Sequence, residues 1–292
     1  MQEKLWELVT TTHSNGKFYL LVGTSTSNRD HFYIVDAKTL YYENSAVVGA
    51  NLSGLTILNE QYGLVTGDGI RRIDLKSLNN VRIKNERLLC FYNSIIYNGK
   101  VLSNDTYKDE SKVKYYDVNE LIAAQEGEAP AVTELDIIQK QKINFVLAKD
   151  GNVYTLESAD NGCNIVKIKN DFTLEKVFAN FQPAKGPYHS SPTIGMVASE
   201  TENIIYLVST DGAIYKYILG DSDSLKAPFI AAESGVSITA PLQLNQQSGE
   251  LYVTYTEERK DESKIVVYSK DGKVLHTVDC GESVPSQILF NN

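Results

Sequence analysis

The residues of this chain that could carry acid–base, nucleophilic or metal chemistry are few and widely spaced. There are four histidines, His13, His31, His189 and His276, and three cysteines, Cys90, Cys163 and Cys280. No two histidines have metal-ligand spacing, and no His-Glu-x-x-His occurs. The cysteines are odd in number and far apart, which suits neither a disulfide framework nor a zinc site, so they read as free thiols. Asp36, Asp74 and Asp117 recur in register, and repeated carboxylates could serve proton transfer. Each, however, ends an apolar strand pattern and precedes a polar stretch, where aspartate bonds the N–H groups of a turn. No nucleophile elbow, phosphate loop or dinucleotide fingerprint occurs. The expectation is a protein that is not an enzyme and uses no metal or cofactor.

The elements that hold these residues repeat. Six segments share one shape, an alternating apolar strand running into a polar turn: Phe32-Tyr-Ile-Val-Asp36-Ala-Lys-Thr-Leu40, Ile70-Arg-Arg-Ile-Asp74-Leu-Lys-Ser-Leu78, Val113-Lys-Tyr-Tyr-Asp117-Val-Asn-Glu-Leu121, Ile165-Val-Lys-Ile-Lys169, Ile214-Tyr-Lys-Tyr-Ile218 and Ile265-Val-Val-Tyr-Ser269. Their spacing of about 40–50 residues is that of four-stranded propeller blades. The peptide Asp-Glu-Ser-Lys occurs twice, from Asp109 and from Asp261, each time leading into such a strand. The fold expected is all-β, a single β-propeller domain over residues 1–292, with six blades by count and seven as the alternative.

The last unit parses into strands at Ile238–Asn245, Glu250–Thr256, Lys264–Ser269 and Lys273–Cys280, with Gly249 and Gly272 in the turns. The first unit shows strands at Lys17–Gly23, Phe32–Asp36 and Tyr41–Val48 and lacks a visible inner one. A lone strand, Gln287–Phe290, follows the last unit, and its expected place is in the first blade, closing the ring. Residues from Leu121 to Glu128 suggest one helical turn.

Composition narrows the partners. The chain has 292 residues, 42% of them hydrophobic, enough for a sizeable core, and a formal net charge of −9. An acidic surface without clustered Lys and Arg argues against nucleic acid. No run of 18 apolar residues exists, so no transmembrane segment is expected. The start, Met1-Gln-Glu-Lys, carries neither a signal-peptide apolar stretch nor a lipid-acceptor cysteine, which leaves a cytoplasmic protein or a trimmed mature form. The single tryptophan, Trp6, argues against quinone-cofactor propellers with repeated tryptophan motifs. Trp-Asp and Gly-Gly repeats of the WD40 and kelch types are missing as well. A monomer is expected, because a closed propeller has few free edges.

In a propeller, the loops joining second to third strands and those joining one blade to the next gather on one face. Here the former are Thr24–His31, Gly67–Gly69, Tyr107–Lys112, Ser158–Gly162, Thr210–Gly212 and Glu257–Ser263. The longest of the latter runs from Pro183 to Pro192 and holds Lys185, Tyr188 and His189 between prolines. Rigid amphipathic groups on loops over a stiff scaffold are a common binding arrangement. The candidate ligand-binding residues are therefore Arg29, His31, Tyr107, Lys185, Tyr188, His189 and Arg259.

Several stretches also resemble a known family. Asn203-Ile-Ile-Tyr-Leu-Val-Ser-Thr-Asp-Gly-Ala-Ile-Tyr-Lys-Tyr217 followed by Ala227-Pro-Phe-Ile230 resembles a blade of the YncE-like (YVTN-type) surface propellers of Bacteroidota. Leu244–Thr254, Lys264–Leu275 and Val284–Phe290 are similar to that family's final blade. The likeness is better over residues 144–292 than over 1–143. It implies an outer-membrane surface lipoprotein, lipid-anchored in its full-length form, that works beside a TonB-dependent transporter. It also implies capture of cobalamin or another large nutrient such as a siderophore or heme. The alternative is a cell-surface scaffold that binds a protein or a glycan and no small molecule.

Overall fold

The computed structural model describes residues 6–24, 30–49, 54–67, 69–84, 94–104, 111–128, 130–139, 145–184, 195–257 and 262–282. Almost all regular structure is antiparallel strand, in six successive up-and-down sheets. Blade 1 is β1 (Trp6–Ser14), β2 (Lys17–Thr24), β3 (Asp30–Asp36) and β4 (Tyr42–Gly49). Blade 2 is β5 (Gly54–Ile57), β6 (Tyr62–Thr66), β7 (Ile70–Asp74) and β8 (Asn80–Lys84). Blade 3 is β9 (Ile95–Tyr97), β10 (Lys100–Asn104), β11 (Ser111–Asp117) and β12 (Val132–Gln139). Blade 4 is β13 (Val146–Leu147), β14 (Val153–Ala159), β15 (Gly162–Ile168) and β16 (Leu174–Phe181). Blade 5 is β17 (Met196–Ala198), β18 (Ile204–Val208) and β19 (Ile214–Ile218). Blade 6 is β20 (Val236–Ile238), β21 (Gln243–Leu244), β22 (Leu251–Glu257), β23 (Ser263–Tyr268) and β24 (Val274–Gly281). The fold class is all-β, a six-bladed β-propeller with four strands a, b, c and d per blade. All six repeated segments read from the sequence fall on c strands.

Two blades depart from the regular plan for local reasons. In blade 5, Ile230 alone takes the d position, exchanging backbone bonds with Ile214 at 2.9 and 3.0 Å. Pro228 lies just before it, and proline cannot donate to a ladder. In blade 6 the a strand is split around Pro241, and both pieces, β20 and β21, pair with β22. The first blade corrects an expectation: β1 supplies its a strand, pairing with β2 from Trp6↔Thr24 to Ser14↔Lys17. This strand reads Trp-Glu-Leu-Val-Thr-Thr-Thr-His-Ser and lacks apolar alternation, so β-branched threonines make it extended without marking it by pattern. Gln287–Phe290 lies outside the described residues, and blade 1 has four strands without it.

The chain divides into two compact units at Lys140/Gln141, with three blades in each. In both units the apolar core lies between neighbouring blades, because a strand buried on both faces sends alternate side chains to opposite sides. In β6, Val65 joins Tyr19, Leu21, Phe32 and Ile34 of blade 1, while Leu64 joins Val101 and Tyr116 of blade 3. In β18, all five residues are buried. Ile205 and Leu207 face a cluster with Tyr154 and Ile165 of blade 4, and Tyr206 and Val208 face one with Val253 and Tyr255 of blade 6.

The c–d connections are set by the recurring aspartates. Asp36 Oδ1 accepts from Lys38 N and Thr39 N at 3.1 and 2.7 Å, and Asp74 Oδ1 from Lys76 N and Ser77 N at 3.0 and 2.7 Å. In both turns the leucine at the fifth position is left-handed, Leu40 and Leu78 each at φ 59°. In blade 3 the same pattern makes a helix. Asp117 Oδ1 accepts from Asn119 N and Glu120 N at 2.8 and 3.1 Å and caps α1 (Val118–Ala123). The helix starts earlier than the expected Leu121–Glu128 because Asp117 is its cap. Among the described residues no helix is long and apolar enough to cross a membrane.

Candidate ligand-binding face

Each blade has a turn end, where a–b and c–d connections lie, and a loop end, where b–c and d–a connections leave. Carboxylates at the turn end are engaged by turn amides and hydroxyls or by neighbouring lysines. The Thr39 hydroxyl and amide hold Asp36 below the usual carboxylate range, the Ser77 amide does most of this for Asp74, and Lys100 does so for Asp117. Burial raises Asp150, but Lys167 at 2.8 Å and the Tyr154 hydroxyl at 2.8 Å outweigh it, and its pKa is lowered overall. The Asp36 and Asp74 carboxylates act as turn caps, as the sequence suggests.

An open cleft of about 420 Å³ lies at the turn end of blade 4, lined by Asn152, Lys167, Lys169, Asn170 and Asp171. Its lysines are paired, Lys167 with Asp150 and Lys169 with Glu175 at 2.9 Å. No motif in the sequence marks this cleft. The only signal was Lys169 at the c-strand end, where the first three blades carry aspartate.

At the loop end several polar groups pair across strands, some of them buried. Asn104 Nδ2 donates to Gln139 Oε1 at 2.6 Å, tying b to d in blade 3, and both side chains are buried. Asn164 Nδ2 donates to Glu157 Oε2 at 2.8 Å in blade 4, with Lys176 at 3.4 Å from the same oxygen. In blade 6 three hydroxyls form a row, Thr239 to Thr256 at 2.9 Å and Thr256 to Ser263 at 3.2 Å. The b–c turn of blade 5 closes on Asp211, which accepts from the Ser209 hydroxyl and from Ala213 N. These pairs were missed because each polar residue stands singly in an apolar strand pattern.

The d–a connection that begins at Pro183 is rooted firmly. Thr210 N donates to Gln182 O and Ala184 N to Val208 O, both at 2.9 Å, and Met196 pairs with Leu207 where the chain returns. The Gln182 amide donates to Asn161 O at 2.7 Å. So the two ends of this connection sit on adjacent residues of β18.

Of the candidate residues, His31 is described. It lies in β3 and not in a loop, paired with Val22 and Val47, its ring stacked on Tyr33 at 5.9 Å. The strand begins at Asp30, two residues earlier than the sequence suggests. Arg29, Tyr107, Lys185, Tyr188, His189 and Arg259 lie outside the described residues. His276 is exposed on the outer strand β24. Cys163 is buried, and burial pushes its thiol up to about 11, so it stays protonated at neutral pH and is a weak nucleophile. Burial likewise pushes the Tyr206 hydroxyl up to about 12. Among the described residues no three His, Cys, Asp or Glu side chains stand together as a metal site.

Fold and site together define a propeller scaffold with a rigid, locally closed turn end and a loop end built on buried polar pairs. The chain belongs to the DUF5074 family, a domain of unknown function, which matches residues 7–291. It is 97% identical to a quinonprotein alcohol dehydrogenase-like protein of Bacteroides thetaiotaomicron, with a TM-score of 0.94 over 98% of this chain and 69% of that one. The β-propeller domain of Myceliophteria thermophila Cps50 (Swd1) gives a TM-score of 0.57 at 12% identity, covering 97% of this chain and 91% of its own. TolB of Acinetobacter baumannii gives 0.54 at 10% identity, covering 91% and 65%. At such identities these two share the fold alone. Among curated proteins none matches. The propeller part of the resemblance read from the sequence stands, while the matching family is DUF5074 and not the YncE-like one.

Proposed function

We propose that the chain is a non-enzymatic ligand-capture propeller that binds at its loop end. The observation that carries this reading is the contrast between the two ends. The turn-end carboxylates of Asp36 and Asp74 are occupied by their own turns, whereas the loop-end connection after Asn104 leaves from strand ends stiffened by the buried pair Asn104–Gln139. A stiff base under variable connections is the arrangement in which loops carry recognition. In this reading Arg29, His31, Tyr107, Lys185, Tyr188, His189 and Arg259 contact the ligand. The Bacteroides relative and the resemblance of residues 203–230 favour a cell-surface setting beside a TonB-dependent transporter. The cargo is then a large nutrient such as cobalamin, a siderophore or heme. The alcohol dehydrogenase-like name of that relative has no counterpart in the described carboxylates, since those with lowered pKa are engaged with turn groups or lysines.

Calorimetric titration with cobalamin, a ferric siderophore and heme tests the proposal. Nanomolar binding of one of them, weakened at least about tenfold (about 1.4 kcal/mol) by Tyr188→Ala with His189→Ala, is the expected result. Binding that ignores those substitutions moves the site elsewhere. No heat with any titrant favours a scaffold for a protein or glycan.

A further inference from the structure

Asparagine is followed by glycine three times in the chain, at Asn15-Gly16, Asn98-Gly99 and Asn161-Gly162. Such a step carries its own reagent, because the glycine nitrogen can reach the side-chain amide carbon and no Cβ stands in the way. How tightly the backbone is held then decides how often it gets there.

Two of the three steps are built alike. Asn15-Gly16 joins β1 to β2 and Asn98-Gly99 joins β9 to β10, in hairpins closed by the pairs Ser14↔Lys17 and Tyr97↔Lys100. The asparagines have φ 50° and 47°, and both glycines have φ 70°, the mirror-image turn that Asn-Gly favours. Both glycines lie outside the ladder and are exposed, with nothing within 4 Å of an added Cβ. Only their carbonyls are engaged. Gly16 O accepts from Ala37 N and Gly99 O from Val118 N, each at 2.9 Å, which ties the a–b turn to the c–d connection.

The third step is shifted along its hairpin. Between β14 and β15 the turn residues are Asp160 and Asn161, and Gly162 is already in the ladder, opposite Ala159. A Cβ added at Gly162 would stand 2.4 Å from Gln182 Nε2 and 2.5 Å from Phe181 O, so the glycine is crowded. Asn161 O accepts from Gln182 Nε2 at 2.7 Å. Rotating the Asn161-Gly162 peptide therefore breaks the closing pair and this bond, whereas the other two steps turn outside the ladder.

We infer that Asn15-Gly16 and Asn98-Gly99 are sites of spontaneous backbone modification, and that the fold shields Asn161-Gly162 from it. The glycine N–H gives its proton to solvent base, and the nitrogen attacks the asparagine Cγ. A new N–Cγ bond forms. The bond from Cγ to the side-chain nitrogen breaks, and that nitrogen takes a proton from solvent and leaves as ammonia. Water then adds to one carbonyl of the resulting cyclic imide and opens it to aspartate or isoaspartate. Either product adds a negative charge at the turn end. Isoaspartate also lengthens the backbone, which parts Gly16 O from Ala37 N.

Peptide mapping with isoaspartate detection tests this on the folded 292-residue chain, held in warm, mildly alkaline buffer, with the same chain in concentrated urea as the reference. In the folded chain Asn15 and Asn98 should be converted at least about tenfold faster than Asn161, and in urea the three rates should converge. Amide exchange at Ala37 should be faster in chains modified at Asn15. A smaller ratio in the folded chain would overturn the inference. So would the same ordering in urea, since local sequence and not the fold would then set the rates.

Discussion

Asp74 at the turn end of blade 2 and Asn104 at the loop end of blade 3 satisfy their polar groups over different distances along the chain. At the turn end, Asp74 bonds amides two and three residues away. At the loop end, Asn104 meets Gln139 thirty-five residues on, and Gln182 reaches back to Asn161. Local bonds form with the turn itself and leave the surroundings free to vary. Long-range buried bonds fix where strands end, which is what a binding face needs from the scaffold beneath it.

The largest test of this contrast uses two glycines with positive φ. Gly99, in the a–b turn of blade 3, has φ 70° and nothing within 4 Å of an added Cβ. Gly162, at the loop end of blade 4, has φ 114°, and an added Cβ would stand 2.4 Å from Gln182 Nε2 and 2.5 Å from Phe181 O. Gly99→Ala should cost about 1 kcal/mol, the ordinary strain of a left-handed alanine. Gly162→Ala should cost about 3 kcal/mol, because a backbone carbonyl has to move as well. Denaturant midpoints at constant slope check this, and equal losses would remove the distinction between the ends.

A smaller effect is expected at the buried amide pair. Asn104→Leu removes the donor to the buried Gln139 Oε1 and should cost about 2 kcal/mol. The double variant Asn104→Leu with Gln139→Leu should recover most of that, since the donor and the acceptor of this bond are then both removed. Strict additivity of the two single losses would show that the pair does not act as a unit.

The same contrast explains how much was legible in the sequence. Strands c stood out in every blade because Phe32-Tyr-Ile-Val and its copies alternate and end at a turn residue, a pattern contained in a short stretch. The aspartate caps were readable for the same reason. Strand β1 was not, because Thr10, Thr11 and Thr12 give β propensity without alternation, and its place is fixed by β2 and by neighbouring β5. The a strand of blade 6 was read as one run, Ile238–Asn245, whereas it breaks at Pro241 and both pieces pair with β22, which is a tertiary outcome. The loop-end pairs were invisible, because nothing local tells Asn104 that Gln139 will lie opposite. Of the candidate contacts, His31 shows the limit most clearly: its neighbours suggested a loop, and pairing with Val22 and Val47 drew it into β3.

The smallest effect is the most local one, and pH gives it a sign. The Ser77 amide, with the Gln61 side chain, holds Asp74 below the usual carboxylate value when folded. A lowered folded pKa means that the charged form is favoured by folding. Its contribution is complete above the unfolded value of about 3.9 and fades as pH falls through the lower folded value. Asp74→Ala should therefore lose about 1 kcal/mol at pH 7, the ordinary worth of such a cap, and the gap from the parent chain should close on acidification below about pH 3. Asn104→Leu titrates nothing, so its deficit should persist across the same range. Thermal melts of both variants between neutral and acid pH decide the matter. If the Asp74→Ala deficit stays constant with pH, the carboxylate does not cap the turn through its charge, and the turn end is held instead by its backbone bonds and by the buried Leu78.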